Sequence, residues 1–408
     1  MHLNLADKNN NIITTITFGF LVSVLYFLPD GSEYYSLCLY ISCALLIVHS
    51  LSTIVFFNKG KMIFPRENII FILFYIYSFL SRYWAISSYF VDYMIRSVLL
   101  LSLVSLFLTN TLLNTYKLDK ALKLLVYVGI TYSFVCLIDT GITGLLSAMK
   151  SGSRLTGLFR FLSGNENAIA QNLALTVIIL FYLYFKEKNI KWIVLSVLPI
   201  IQIIVTLSRT SFAYMFIGLL VFYFLYSIFY MKKKLRGTLK FFVIFILFGI
   251  IIYLVLQLPA LSAFTNRYMG LINLYSGEGA VDDSSAIRNS FVQAGIEQFF
   301  KTPWFGVGFN NARLINQYAT GFQAYMHNNF FEVLVNGGIV GGVLFYSVFF
   351  LLIKKMFSRI SEKSLEVYVI LAIYISRIVC DWGTVTCYDK RLIFLISLGC
   401  LACYQKSN

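Results

Sequence analysis

Arg154, Arg209, Arg288 and His327 are widely spaced polar residues in a chain that is otherwise overwhelmingly apolar. A guanidinium group binds phosphate oxygens bidentately and keeps its charge throughout the physiological range. A neutral imidazole accepts a proton from a hydroxyl or hydrogen-bonds a phosphate. Together they offer an anion clamp and a proton acceptor. Polar residues accompany them. Asn165-Glu166-Asn167 opens one apolar run, and Asn328, Glu332 and Asn336 recur at every fourth position of another, which puts them on one helical face. Asn329 widens that stripe. Each group also has a structural reading. Arg288 can pair with a neighbouring acid, and Arg209 can reach the membrane surface from between two helix ends. Asn165 can cap a helix whose positive end Glu166 complements. His327 can cap the next helix, and the stripe can bond helices to one another. No carboxylate pair or histidine cluster with metal-ligand spacing is visible beside them, so no metal or other cofactor is expected.

The segments that must position these residues are membrane helices. Of 408 residues, 59% are hydrophobic and only 12% charged, where a soluble domain carries about 25% charge. Long apolar runs repeat along the whole chain, which reads as all-α, a single polytopic membrane domain over 1–408. Helices satisfy their own backbone in lipid, and the runs are too long and continuous for barrel strands. The N-terminus lacks a cleavable-signal pattern, and its first run is long enough to remain as a span. About twelve spans are predicted, at 11–29, 35–57, 67–83, 89–109, 121–139, 166–185, 191–208, 211–230, 239–257, 328–353, 364–380 and 390–404.

Alternate connections collect the basic residues: Lys59 to Arg66, Lys117 to Lys123, Lys186 to Lys191, Lys232 to Lys240 and Lys354 to Lys363. With Lys8 and Lys406 they account for nearly all of the net charge of +15. The positive-inside rule makes that side cytoplasmic, with both termini inside. The basic pI of 9.4 is then a topology signal and a contact with anionic membrane lipid, not a nucleic-acid footprint. A large external loop, 258–329, falls on the other side before the tenth span. It is charge-balanced, so its arginines are not part of the basic bias. Residues 140–165, rich in glycine and charge, read as an irregular or re-entrant outer segment.

The remaining signals are mostly packing. Gly337, Gly338, Gly341 and Gly342 have the spacing that lets helices approach closely. Cys400-x-x-Cys403 lies in an apolar run without polar context. Cys380 and Cys387 flank a short outer turn and are candidates for a disulfide.

Arg154-x-x-Gly157, Asn165-x-Asn167, Ser208-Arg209, Arg288, Pro303-Trp304-x-Gly306-x-Gly308, His327-Asn328 and the Gly337 region occur in that order. Over about residues 150–345 the chain resembles the O-antigen polymerase and O-antigen ligase superfamily of bacterial membrane glycosyltransferases. The resemblance implies metal-independent transfer from a polyprenyl-diphosphate-linked oligosaccharide at the outer face of the cytoplasmic membrane. Polymerisation of repeat units into O-antigen, capsule or exopolysaccharide is the favoured reading, and ligation of a finished glycan to another acceptor is the alternative. Chain-length regulator and flippase proteins are the implied partners. In this reading His327, Arg288 and Arg209 are catalytic. Arg154, Asn165, Glu166, Trp304, Asn328 and Glu332 bind substrate, with Glu166 and Glu332 as reserve bases and Trp304 offering an aromatic face to a sugar. A flippase or transporter of about twelve spans is the alternative of another class, although no internal repeat of the transporter kind is found.

Overall fold

The computed structural model describes residues 3–28, 33–57, 61–151, 166–231 and 283–405, together with isolated positions between 238 and 276. Arg154, Asn165 and most of the expected ninth span lie outside the described residues. Every regular element among those described is helical: α1 (Leu3–Phe27), α2 (Glu33–Phe57), α3 (Arg66–Leu80), α4 (Ser88–Thr115), α5 (Leu118–Ser151), α6 (Glu166–Glu187), α7 (Lys191–Val205) and α8 (Arg209–Leu225). After them come α9 (Asp283–Lys301), α10 (Ala312–Thr320), α11 (Asn329–Ser358), α12 (Leu365–Cys380) and α13 (Leu392–Tyr404).

Each expected span other than the ninth coincides with a helix. Seven helical segments among the described residues are long and apolar enough to cross a membrane: Asn10–Phe27, Tyr34–Phe56, Ser88–Thr115, Leu118–Ala148, Glu166–Glu187, Arg209–Tyr230 and Asn329–Ser358. α7 and α13 are apolar but shorter. α3 and α12 have 15 and 16 residues, fewer than the roughly 20 that a crossing takes. α6 is apolar all round and packs against α5, α7, α8 and α12, as a helix with no solvent face should.

Two expectations are revised. The helix of the fifth span does not stop near residue 139. It breaks at Gly141, whose φ is 70°, and resumes to Ser151, with Leu145 and Ala148 turned into the protein. The glycine absorbs the break, so a segment read as irregular from residue 140 is helical to that point. The described part of 258–329 is likewise more than a loop, since α9 and α10 lie within it.

Three of the lysine-bearing connections, around Lys123, Lys186 and Glu366, meet at one end of the bundle. Lys186 pairs with Asp119 at 2.7 Å and also with Glu366, while Lys123 pairs with Glu187 at 2.9 Å. Both described chain ends reach the same place. Thr15 bonds the Tyr116 hydroxyl and the Gln405 amide donates to the Tyr116 carbonyl, each at 2.9 Å. The N-termini of α6, α8 and α11 meet the α12–α13 connection at the opposite end.

That second end depends on a broken helix. α11 interrupts at Gly338 (φ 62°, ψ −164°), which detaches the amides of Ile339 and Val340 from the carbonyls one turn earlier. The turn Pro303–Gly308 replaces the lost bonds. Ile339 N donates to Pro303 O at 2.8 Å and Val340 N to Trp304 O at 3.3 Å. In return the amides of Val307 and Gly308 donate to Val335 O and Asn336 O, both at 2.9 Å, and the Tyr77 hydroxyl donates to Gly337 O at 2.6 Å. Two backbones this close leave no room for side chains. A Cβ on Gly338 would sit 2.2 Å from Trp304 O, and one on Gly306 2.5 Å from Asn336 O. These glycines are therefore required by backbone docking as well as by their positive φ. Gly338→Ala should cost about 3 kcal/mol or prevent folding. Gly342→Ala, whose Cβ would meet only a Leu334 methyl at 3.1 Å, should leave thermal unfolding in detergent nearly unchanged. Equal melting of the two variants would refute this account.

Candidate active site

α7 ends at Val205, and Leu207 at φ 54° reverses the chain into α8, which starts at Arg209. Ser208 precedes the helix, and its hydroxyl bonds Ser211 at 2.9 Å rather than a backbone amide. The tight connection holds Arg209 at the positive end of α8, where an anion is favoured twice over.

A pocket at this end is lined by Arg209, Arg288 and His327 together with Asn167, Gln171 and Thr384. Three sequence positions more than a hundred residues apart at their extremes are thus neighbours. α9 positions two of them. Arg288 and Phe291 are three residues apart on one face, and the His327 ring lies parallel to the Phe291 ring, with centroids 6.3 Å apart and planes at 14°. Phe291 packs with Val307, Ala312, Met326 and Val335, which ties α9 to the broken part of α11. His327 itself has a φ of 52°, an uncommon conformation for a residue with a Cβ. The cap of α11 belongs to its neighbour: the Asn328 side chain accepts from Phe331 N at 3.2 Å.

Among the other expected residues, Asn328, Glu332, Trp304 and Glu166 do not line the pocket. Asn328 is buried in its capping role. Glu332 is fully buried and accepts from Met326 N (2.9 Å), the Asn336 amide (2.8 Å) and the Tyr388 hydroxyl (3.1 Å). Asn336 also accepts from Ala312 N at 2.7 Å. The polar stripe therefore fastens α11 to α10 and to the last connection, as its interhelical reading required. Trp304 is 62% exposed, and its carbonyl serves the broken helix. Glu166 is half-buried in the first turn of α6, beside the pocket residue Asn167. Arg154 and Asn165 fall outside the described residues.

Several residues at this end were not singled out from the sequence. Arg377, Asp389 and Arg391 form a nearly buried charge cluster around the α12–α13 connection. Burial pushes the Asp389 carboxyl up, but Arg391 and Arg377 outweigh it and hold it well below the usual range. Arg391 also donates to Asn172 and, at 2.6 Å, to Gln171 Oε1. The available signal was Arg377, an arginine inside an apolar run, which ordinarily marks function or a buried partner. Cys380 and Cys387 are both free thiols, so the disulfide does not form. Among the described residues no three His, Cys, Asp or Glu side chains come together as a metal-binding group.

Asp381 closes the connection. It accepts from the Asn329 amide, the Tyr346 hydroxyl and the Thr386 hydroxyl at 2.7–3.0 Å. Burial nevertheless raises its pKa from 3.8 to about 6, against the opposing effects of Arg377 and these donors. Its contribution to stability is thus complete below pH 3.8 and is lost as pH rises through about 6. Detergent-solubilised protein should lose roughly 2 kcal/mol from this group between pH 4.5 and 7.5. Asp389, depressed instead, contributes above the ordinary carboxylate range and adds no step there. Asp381→Asn should make the step smaller, and an unchanged step in that variant would refute the assignment.

A search of curated proteins finds no match to the chain. Residues 194–346 match the sequence model of a family described as O-antigen ligase. The matched segment runs from within α7 into α11 and contains Arg209, Arg288 and His327, the three expected catalytic residues that share the pocket. Over that segment the chain is similar to the O-antigen polymerase and ligase superfamily, and this match and the long apolar helices together indicate a multi-pass membrane protein.

Proposed function

We propose that the protein is a glycosyltransferase that takes its donor from polyprenyl diphosphate and polymerises lipid-linked oligosaccharide repeat units. The observation that carries this reading is the convergence of Arg209, Arg288 and His327 on one pocket. In the reaction, His327 accepts the proton of an acceptor sugar hydroxyl as its oxygen bonds to the donor's anomeric carbon. The bond from that carbon to the diphosphate breaks, and the electron pair leaves on the diphosphate oxygen. Arg209 and Arg288 neutralise the charge that develops there, which lets the transfer proceed without a metal. The proton on His327 returns to water before the next cycle.

The lysine-rich end supports the orientation. If it faces the cytoplasm, as the positive-inside rule requires, both termini are internal and the pocket opens at the outer face. Arg154, on the outer side by the same rule, is a third candidate for the diphosphate. Glu166 is the better placed of the two reserve carboxylates, because Asn167 beside it lines the pocket, whereas Glu332 is committed to three hydrogen bonds.

Arg209→Ala, Arg288→Ala and His327→Ala should each lower polymer formation at least about 100-fold at normal expression. Wild-type chain length in all three would sink the assignment. The description of the matched family favours a second reading, ligation of a finished chain to another acceptor. The lipid-linked pool of a deletion strain separates the two. Single repeat units accumulate if polymerisation is lost, and long lipid-linked chains persist if ligation is lost.

A further inference from the structure

Beside the arginines, the pocket holds a neutral pair, Gln171 and Thr384, whose polarity is set from behind. Arg391 has only donors to offer, so the atom of Gln171 it meets at 2.6 Å must be the carbonyl oxygen. The amide nitrogen is then turned to Thr384, donating to its Oγ1 at 3.2 Å. A threonine hydroxyl that already accepts keeps one proton to give. That proton has no acceptor among the described residues. Arg391 cannot rotate away from this duty. Its guanidinium is held at 2.7 Å by Asp389, which also pairs with Arg377, and it donates as well to Asn172.

We propose that Arg391 is a positioning residue that fixes the Gln171 amide, and through it turns the Thr384 hydroxyl proton into the pocket as a third donor to the diphosphate of the lipid-linked substrate. This inference rests on the donor site described above. It assigns to the α12–α13 connection, which lies outside the family match at 194–346, a share in binding the leaving group. The charge in this arrangement sits away from the ligand. Arg391 is neutralised by Asp389, and only neutral donors reach the pocket from this side. The connection therefore adds hydrogen-bonding direction where Arg209 and Arg288 add charge.

The test uses full-length protein in detergent micelles and a polyprenyl diphosphate without sugar as the probe. Thr384→Val should raise its Kd about ten-fold, as expected for loss of one hydrogen bond to a charged group, and Thr384→Ser should restore it to within about two-fold. Gln171→Ala should weaken binding similarly. The decisive measurement is the double variant. If Gln171 acts through Thr384, combining the two weakens binding no further than either alone, a coupling that independent packing defects would not produce. Wild-type affinity in Thr384→Val, or additive losses in the double variant, would overturn the inference. Arg209→Ala and Arg288→Ala run alongside. If they too bind like wild type, the donor site itself is misassigned. If they lose binding while Thr384→Val does not, only the role of this connection fails.

Discussion

The functional end depends on how a helix can be broken where water cannot replace its hydrogen bonds. An unpaired amide or carbonyl in an apolar setting costs several kcal/mol, so a helix that stops and restarts within a membrane protein must find new partners for every group it releases. At Gly338 these partners come from a single turn, Pro303–Gly308, assisted by Tyr77. The exchange works in both directions, with the helix donating to the turn and the turn donating to the helix. This reciprocity fixes the turn in register with α11. It thereby fixes α9, which ends just before the turn, and α10, which begins just after it. Arg288 and the ring partner of His327 are both on α9. The position of the proposed chemistry is thus inherited from backbone hydrogen bonding some distance away.

A second constraint is the charge held in the α12–α13 connection. Arg377 and Asp389 are each only 9% exposed, and a buried charge is tolerated only when paired and hydrogen-bonded. The cluster meets that condition by recruiting Arg391, and the surplus donors of Arg391 in turn order the polar residues at the start of α6. Asn329 performs a comparable function with neutral groups. Its oxygen accepts from the amides of Thr386 and Cys387, while its nitrogen reaches Asp381 and Tyr346. Between them these residues join α6, α11, α12 and α13 at the pocket wall.

Which features were legible in the sequence follows from the range of the interactions that determine them. Apolar length and helical period are local, and among the described residues helices lie where those signals placed them. The four-residue spacing of Asn328, Glu332 and Asn336 correctly marked one buried polar face. Spacing alone could not decide whether that face held ligand or protein, because the answer lies in Ala312, Met326 and Tyr388, which arrive from other segments. Trp304 illustrates the same limit. Its turn is conspicuous in the sequence, but the backbone of the turn carries the interaction, and a pattern of side chains does not reveal what a carbonyl will meet. The break at Gly141 was hidden for the opposite reason. Glycine and charge beyond residue 140 suggested irregular chain, whereas a single positive-φ residue was enough to interrupt the helix and let it continue.

The pocket combines groups that differ in how they are restrained, and that difference bears on how charge is managed there. Arg209 comes from a connection with almost no slack, at a helix N-terminus whose partial charge has the same sign as its own. Arg288 comes from a helix tied to the bundle through the small apolar cluster around Phe291 and the interlocked turn. Both are carried by elements whose positions are set by unrelated bonds, so each reaches the pocket independently of the other. In the proposed reaction a diphosphate meets guanidinium groups that the backbone has already placed, so less binding energy goes to ordering them. The third side is neutral: a hydroxyl and an amide, oriented by a guanidinium paired with Asp389, supply donors without adding charge.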